Sequence, residues 1–339
     1  NGKTTTTTLV GEICKNAGRL TWVAGNIGLP LTAVAGQTHP EDVVVVEVSS
    51  FQCESLDTFQ PDVAAVLNIT EDHLNRHGAM CAYIAMKRRI FEKQTDTQVA
   101  VLNWDDPVCR DMAAGLAARV MWFSRRQAVP EGAFLQNEEV MVAMDGAPPR
   151  ALCRADEIKI PGAHNLENAL AAAVMTAALG VPLPVIRHTL RTFLGVEHRI
   201  EFVRELDGVR YINDSKGTNV DATLKAVEAM RAPTVLLAGG SDKGVDFAPL
   251  AQGILAQPLI RHVVLIGATA QKIAAALDNA GYKSYEHAGS DMARAVDACR
   301  ALAGPGWNVL LSPACASFDM FKDFEHRGEV FKQLVQGLR

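Results

Sequence analysis

The chain has 339 residues, 48% of them hydrophobic and 21% charged, which suits a globular protein of two domains. Its net charge of −5 argues against a protein whose main partner is nucleic acid. The apolar runs are too short to cross a bilayer, and seven cysteines without a C-x-x-C pair indicate free thiols in a reducing cytoplasm, which argues against both a membrane protein and a disulfide-stabilised one.

The first element is the second half of a phosphate-binding loop, followed by a helix. Asn1-Gly2-Lys3-Thr4 matches the end of the pattern G-x-x-x-x-G-K-[ST], and we expect a further domain upstream. In such a loop, backbone N–H groups surround phosphate oxygens, the lysine reaches the β- and γ-phosphates, and the threonine hydroxyl binds Mg²⁺. Apolar residues at helical spacing follow, and Gly18 stands where a helix ends. The sequence therefore predicts a nucleotide site at Gly2, Lys3 and Thr4.

The next elements alternate between strands and helices. This alternation predicts a parallel sheet covered by helices on both faces. Short alternating runs over residues 133–160 predict an antiparallel ribbon attached to that sheet. Helices over residues 164–179 and 183–193 complete a first domain, 1–195. The predicted strands of the parallel sheet are 21–24, 43–48, 63–68, 99–103 and 119–123.

A second α/β series begins after Gly195. A hairpin over residues 200–205 and 209–213, turning at Asp207-Gly208, opens it. The series predicts a small doubly wound sheet in a second domain, 196–339. Its other predicted strands are 234–238, 262–266 and 308–311, and its predicted helices are 220–230, 268–280, 291–303 and 324–338.

Polar residues stand at the ends of two strands in the first domain. Glu47 is the first charged residue after the apolar run 43–46, close to the strand end where open α/β sheets bind ligands. This position suits a Mg²⁺ ligand opposite Thr4; a carboxylate paired with a basic side chain is the alternative. His73 follows the next strand, although a lone histidine is more often structural or exposed.

Together these motifs resemble the Mur ligases, the ATP-dependent amino-acid ligases of bacterial cell-wall synthesis. The resemblance implies an α/β fold: a P-loop central domain with a parallel sheet and a small antiparallel ribbon, then a Rossmann-like C-terminal domain. In the second domain, residues 213–219, 239–243 and 311–319 most resemble the family member that adds D-glutamate. The first-domain segments that carry the resemblance are Gly2-Lys3-Thr4, Gly25-Asn26-Ile27-Gly28, Glu47-Val48-Ser49-Ser50-Phe51-Gln52, Asn68-Ile69-Thr70-Glu71-Asp72-His73 and Gly162-Ala163-His164-Asn165-Leu166-Glu167-Asn168-Ala169.

The resemblance also implies roles for residues of the first domain. Lys3 and His73 match the P-loop lysine and the catalytic histidine, Asn168 meets the adenine, and Asn26 belongs to the substrate site. Lys87 matches a lysine that is carbamylated, and a neutral primary amine can add CO₂ whereas the neighbouring guanidinium groups stay protonated. Composition alone favours a solvated helix face at residues 87–89. The implied ligands of two Mg²⁺ ions are Thr4, Glu47, His73 and Lys87.

In the second domain the resemblance assigns nucleotide and amino-acid contacts. Arg199 and Lys216 would face phosphates, and Asp214 the ribose. Without the resemblance, Lys243 is more simply a turn residue, and Cys315 a small buried thiol. The implied D-glutamate contacts are Thr218, Lys243, Ser317, Phe318 and Phe324.

The implied reaction uses ATP to activate the carboxylate of UDP-N-acetylmuramoyl-L-alanine as an acyl phosphate, which D-glutamate then attacks. We expect a cytoplasmic monomer. Because the family's N-terminal domain binds the uridine diphosphate, this chain alone is expected to be inactive as a ligase. Three alternatives stay open: a folylpolyglutamate synthetase that uses L-glutamate, a P-loop kinase that forms no amide, and a nucleotide-gated binding module without turnover.

Overall fold

The computed structural model describes residues 1–70, 78–160 and 162–339. These residues form two compact units, Asn1–Gly195 and Val196–Arg339, each with its own α/β core.

The first unit contains two sheets. β1 (Thr21–Gly25) and β2 (Val43–Glu47) form a parallel pair. A second sheet has six strands in chain order: β3 (Val63–Val66), β4 (Val99–Asn103), β5 (Arg119–Ser124), β6 (Gly132–Gln136), β7 (Glu139–Ala143) and β8 (Arg150–Arg154). Strands β3 to β6 pair in parallel and β6 to β8 pair antiparallel, so the ribbon predicted at the end of the sheet is present.

The strand alternation predicts one parallel sheet, and the structure differs here. Among the described residues, no strand pairs with the outer edge of β2 or of β3. A cavity of about 780 Å³ is lined along its length by both strands, which separates the two sheets. Strand pairing depends on which edges meet, and the apolar pattern of a strand does not specify that.

One helix lies buried at the centre of the first unit. Residues 169–174 of that helix, α6, are completely buried, and it contacts α1 and several strands of the six-stranded sheet. A helix that is apolar on all sides is expected at the centre of a unit. The helices are α1 (Lys3–Asn16), α2 (Leu31–Val34), α3 (Ser50–Cys53), α4 (Met80–Arg88), α5 (Pro107–Met112), α6 (Ala163–Ala178) and α7 (Leu183–Thr192).

The second unit is a doubly wound sheet. Its strands are β9 (Glu201–Leu206), β10 (Val209–Asn213), β11 (Thr234–Ala238), β12 (Ile260–Ile266), β13 (Tyr285–Gly289) and β14 (Asn308–Leu311). They lie in the order β13-β12-β11-β14-β10-β9, and every pair is parallel except β9 with β10. The order places the ends of β11, β14 and β10 side by side.

Helices cover both faces of this sheet. In β11, Leu236 and Ala238 pack toward α8, α9 and α10, whereas Val235 and Leu237 pack toward α11 and α12. β13 and α9 have no counterpart in the sequence prediction, because β13 is a short polar edge strand and α9 contains an internal glycine. The helices are α8 (Val220–Ala229), α9 (Ala248–Ala256), α10 (Ala270–Ala280), α11 (Met292–Leu302) and α12 (Phe324–Gly337).

No helix in the described ranges is long and apolar enough to cross a membrane. All seven cysteines are free, and Cys81 alone is exposed.

Candidate functional site

The predicted phosphate loop lies directly against the start of α6. Gly2 precedes α1 with a φ of +83°, a left-handed conformation that favours glycine. A Cβ at this position would lie 2.2 Å from Oδ1 of Asn168. Asn168 is 5% exposed; its Oδ1 accepts a hydrogen bond from Thr6 Oγ1 at 3.4 Å, and its Nδ2 donates to Asn165 Oδ1 at 3.1 Å. The structure thus brings the predicted phosphate and adenine positions into contact.

Glu47 ends β2 as a buried carboxylate. It is 3% exposed, and its Oε1 accepts a hydrogen bond from Asn26 Nδ2 at 2.8 Å. Its Oε2 is buried and has no hydrogen-bond partner among the described residues. Gly25, with a φ of +104°, permits this arrangement, because a Cβ there would lie 2.4 Å from the backbone oxygen of Glu47. An unsatisfied buried carboxylate oxygen costs about 1–3 kcal/mol or more, so this oxygen fits a ligand that donates positive charge.

The cavity beside β2 and β3 collects several predicted site residues. Lys3, Asn26, Glu47 and Lys87 all line it. Lys87 lies in the last turn of α4, with its Nζ 4.8 Å from the centre of the Tyr83 ring. Two ammonium groups and one buried carboxylate therefore face the same space.

The other predicted metal ligands, Thr4 and His73, are not among the described residues that line this cavity. Thr4 is buried in the first turn of α1 and does not line the cavity. His73 lies outside the described residues. Asn68, which is not among the predicted site residues, also lines the cavity. Its Nδ2 donates to the backbone oxygen of Asn1 at 3.1 Å, and this bond joins the segment after β3 to the phosphate loop. Its place directly after an apolar strand is the sequence signal that marks it.

In the second unit, Asp214 is the buried acid of the predicted nucleotide site. It follows β10 and is almost fully buried. Its Oδ2 accepts from Ser312 Oγ at 2.6 Å, and its Oδ1 accepts from the backbone N–H of Ile200 at 3.2 Å. Burial raises the pKa of the Asp214 carboxyl to about 7, against the lowering effects of these hydrogen bonds and of the Arg199 charge.

Most of the remaining predicted residues lie on three loops that follow β10, β11 and β14, whereas Arg199 is exposed ahead of β9 and Phe324 is the first residue of α12. Lys216 lies 5.8 Å from the centre of the Phe324 ring, measured from its Nζ. Lys243 is exposed in the loop after β11. In the loop after β14, Ser317 is buried and Phe318 is 71% exposed. Thr218 is half-buried, one residue before the cap of α8.

Hydrogen bonds join two of these loops. The backbone N–H of Ser241 donates to the oxygen of Ala316 at 2.9 Å. Ser241 Oγ also donates to Asp319 Oδ1 at 3.1 Å and accepts from the Asp319 N–H at 2.8 Å. Lys243 and Ser317 therefore belong to loops that are fixed to each other.

Two family models match the chain: the Mur ligase middle domain over residues 1–176 and the glutamate ligase domain of Mur ligases over residues 198–315. The chain belongs to the Mur ligase family. Mur ligases are ATP-dependent ligases, so the predicted enzyme class is confirmed.

Several curated relatives carry the same name. The chain is 50% identical to the UDP-N-acetylmuramoylalanine--D-glutamate ligase of Pelotomaculum thermopropionicum and 46% identical to that of Clostridioides difficile. Each alignment spans 339 residues, which is 100% of this chain and 74% of the relative.

Solved Mur ligase structures have the same fold. MurF from Acinetobacter baumannii superposes with a TM-score of 0.70 at 20% identity, covering 99% of this chain and 75% of that one. Escherichia coli FolC in complex with DHPP and ADP gives a TM-score of 0.63 at 19% identity, covering 99% of this chain and 87% of that one. These matches confirm the predicted α/β fold class.

Proposed function

We propose that this chain forms the nucleotide-binding and D-glutamate-binding parts of a ligase that joins D-glutamate to UDP-N-acetylmuramoyl-L-alanine. The observation that carries the proposal is 50% identity to a D-glutamate ligase over all 339 residues, which includes the loops of both units. The likeness to FolC, at 19% identity, reaches no further than the fold.

In the first unit, the loop at Gly2 and the start of α1 bind the phosphates of ATP. The first amides of a helix lack intrahelical partners and favour anions, and Lys3 adds a positive charge. Asn168, which is buried against Gly2, is the residue that we assign to the adenine. Asn26, which holds Glu47, completes the substrate side of the cavity.

The residues of this unit also fit Mg²⁺, which prefers oxygen ligands. Glu47 Oε2 and the Thr4 hydroxyl are the ligands we assign to one ion; His73 and a carbamylated Lys87 complete the proposed set for a second. The unsatisfied Oε2 of Glu47 supports the first site. When bound, Mg²⁺ neutralises charge on the transferred phosphoryl group.

The chemistry has two steps. A carboxylate oxygen of UDP-N-acetylmuramoyl-L-alanine attacks the γ-phosphorus of ATP, and ADP leaves. The amine of D-glutamate, after losing a proton, then attacks the acyl carbon, and phosphate leaves as the amide forms. Lys3 reduces the repulsion between the two anions that meet in the first step. His73 is the proposed catalytic residue for proton transfer.

In the second unit, we assign Arg199 and Lys216 to the phosphates of ATP and Asp214 to its ribose. The D-glutamate site is built on the joined loops that follow β11 and β14, with Lys243 binding a carboxylate. The exposure of Lys243 supports this role, because an exposed ammonium group is available to an anion. The other proposed D-glutamate residues are Thr218, Ser317, Phe318 and Phe324.

Phosphate release tests the proposal. The assay contains MgATP and UDP-N-acetylmuramoyl-L-alanine, with D-glutamate, L-glutamate, L-lysine and diaminopimelate compared in parallel. It is run on the 339-residue chain and on a version extended by an N-terminal UDP-binding domain from a relative. We expect release with D-glutamate only, and only in the extended protein.

The other outcomes are informative. Release with L-glutamate would favour a folylpolyglutamate synthetase, and release with L-lysine or diaminopimelate would favour another Mur ligase. Phosphate release without any acceptor would contradict the ligase proposal, as would ATP binding with no turnover in the extended protein.

A further inference from the structure

The first turn of α12 places an arginine in the interior of the second unit. Arg327 is 1% exposed and is the largest completely buried side chain among the residues that the structure describes. The helix begins beside it because Asp323 caps the first turn, accepting a hydrogen bond from the His326 N–H at 2.6 Å. Burial lowers the pKa of Arg327 to about 10, so the guanidinium group still carries its charge at neutral pH.

The guanidinium group of Arg327 bonds to two loops at once. Its Nε donates to Ser215 Oγ at 2.9 Å, and its Nη2 donates to the backbone oxygen of Ser215 at 2.7 Å. Its Nη1 donates to the backbone oxygens of Cys315 at 3.0 Å and Ala316 at 3.2 Å. Ser215 follows β10, and Cys315 and Ala316 follow β14, so one side chain bridges the ends of neighbouring strands.

A third loop is packed against the same group. Gly240 follows β11 with a φ of +151°, and a Cβ there would lie 3.3 Å from Arg327 Nη1 and 2.3 Å from the oxygen of Ala316. Three loops therefore converge on Arg327. The loop after β10 carries Asp214, Lys216 and Thr218. The loop after β11 carries Lys243, and the loop after β14 carries Ser317 and Phe318.

The chemistry explains why an arginine is present. Burying a charge without a carboxylate partner is costly, and none of the hydrogen bonds of Arg327 within the described residues goes to a carboxylate. Its partners are one hydroxyl and three carbonyl oxygens, which the planar, forked donor geometry of arginine can reach together. An apolar residue would fill the space but leave these oxygens unpaired. Lysine would keep the charge without the fork.

We propose that Arg327 is a positioning residue for the amino-acid acceptor: it holds three loops in register so that Lys243, Thr218 and Ser317 can bind one dicarboxylate amino acid. Because it is buried, Arg327 acts through the loops and does not touch the substrate. The proposal rests on the function proposed above, since it takes these loops to be the D-glutamate site.

Kinetics of the Arg327→Lys variant test this role in the extended protein. We expect the KM for D-glutamate to rise about tenfold or more, the loss expected for hydrogen bonds to a charged group. The KM for UDP-N-acetylmuramoyl-L-alanine should stay within about twofold. A control, Val335→Ala, removes apolar volume from the buried face of the same helix. It should lower Tm with little change in either KM, because partial unfolding removes active molecules and leaves the site in the rest intact.

An unchanged KM for D-glutamate in Arg327→Lys, with only Tm or the active fraction reduced, would overturn the proposal. If Arg327→Lys does not fold, Ser215→Ala is the second test, because it removes one hydrogen-bond acceptor of Arg327. We expect it to raise the KM for D-glutamate about threefold, since a single hydrogen bond is lost. An unchanged KM in Ser215→Ala would also overturn the proposal. Failure of the proposed function is distinguishable, because the unsubstituted protein would then release no phosphate with D-glutamate.

Discussion

The two units of this Mur ligase build their sites in opposite ways. In the first unit, Glu47 keeps one buried carboxylate oxygen without a partner among the described residues. In the second unit, both oxygens of Asp214 accept hydrogen bonds, and the donors of Arg327 bind four oxygen atoms. The first site thus has a buried carboxylate oxygen available to a positively charged ligand, whereas the polar groups of the second site are paired with each other. Substitutions in the first should therefore change ligand binding, and substitutions in the second should change stability and geometry.

The largest expected effect is a loss of stability in the second unit as the pH rises and Asp214 loses its proton. The folded pKa of Asp214 is about 7, above the ordinary value of 3.8 that this carboxyl has in the unfolded chain, so the folded state binds more protons between these two pH values. The stabilising contribution is complete below pH 3.8 and is lost as pH rises through about 7, by up to roughly 4 kcal/mol. Hydrogen exchange of the β10 and β14 amides from pH 4.5 to 8 measures this local stability.

Asp214→Asn should flatten that pH dependence, whereas Glu228→Gln, at an exposed position of the same unit, should leave it unchanged. Equal pH profiles in the original chain and in Asp214→Asn would contradict the assignment.

The next effect concerns ligand chemistry in the first site. Lys3→Ala should lower phosphate release by the extended protein about 10²-fold or more, the cost of deleting one electrostatic stabiliser of about 3 kcal/mol. Lys15→Ala is the control, because Lys15 lies on the same helix but pairs with Glu12 in solvent. If Lys3→Ala turns over about as fast as the original protein, Lys3 does not take part in phosphoryl transfer.

A smaller effect tests the unpaired oxygen. Glu47→Gln should weaken Mg²⁺-dependent ATP binding about tenfold, or about 1.4 kcal/mol, while leaving the stability of the ligand-free chain equal or higher. Calorimetric titration with and without Mg²⁺ measures the first quantity and thermal unfolding the second. Glu41→Gln, an exposed carboxylate on the same cavity, should change neither. Loss of ligand-free stability in Glu47→Gln would mean that the carboxylate is structural.

The smallest expected effect is on ATP binding, and it separates the backbone strain at Gly2 from the contact of Gly2 with Asn168. Gly2 and Gly18 both have left-handed φ values, +83° and +77°, but a Cβ meets Asn168 at Gly2 and meets nothing within 4 Å at Gly18. Gly18→Ala should lose about 1–2 kcal/mol of stability through backbone strain alone, and Gly2→Ala should lose more, because its Cβ also meets Asn168. Gly2→Ala alone should also weaken ATP binding, by about threefold to tenfold, since Asn168 must move. Equal ATP affinity in the two variants would show that the contact does not matter.

The sequence predicts elements well where local pattern decides them. β4 and β11 are continuous apolar runs, and their bounds agree with the prediction. Lys3, Glu47 and Lys87 line one cavity, although Glu47 alone ends a strand, whereas Lys3 begins α1 and Lys87 lies in the last turn of α4. The polar strand β13 carries no such pattern.

Arg327 shows the limit most clearly. Its neighbours on α12 include Glu325, His326 and Glu329, so the local sequence favours a solvated helix face. Its burial depends on Ser215, 112 residues earlier, and such tertiary contacts leave no periodic signal.

The cavity between β2 and β3 has a consequence for association in solution. Both strands leave an edge unpaired among the described residues, and apart from Glu47 their side chains are valine and alanine. The edges of the second unit differ: β9 carries Glu201, Arg204 and Glu205, and charges of this kind deter a further strand. If the chain associates through its strands, we expect the edges of β2 and β3 to take part rather than that of β9.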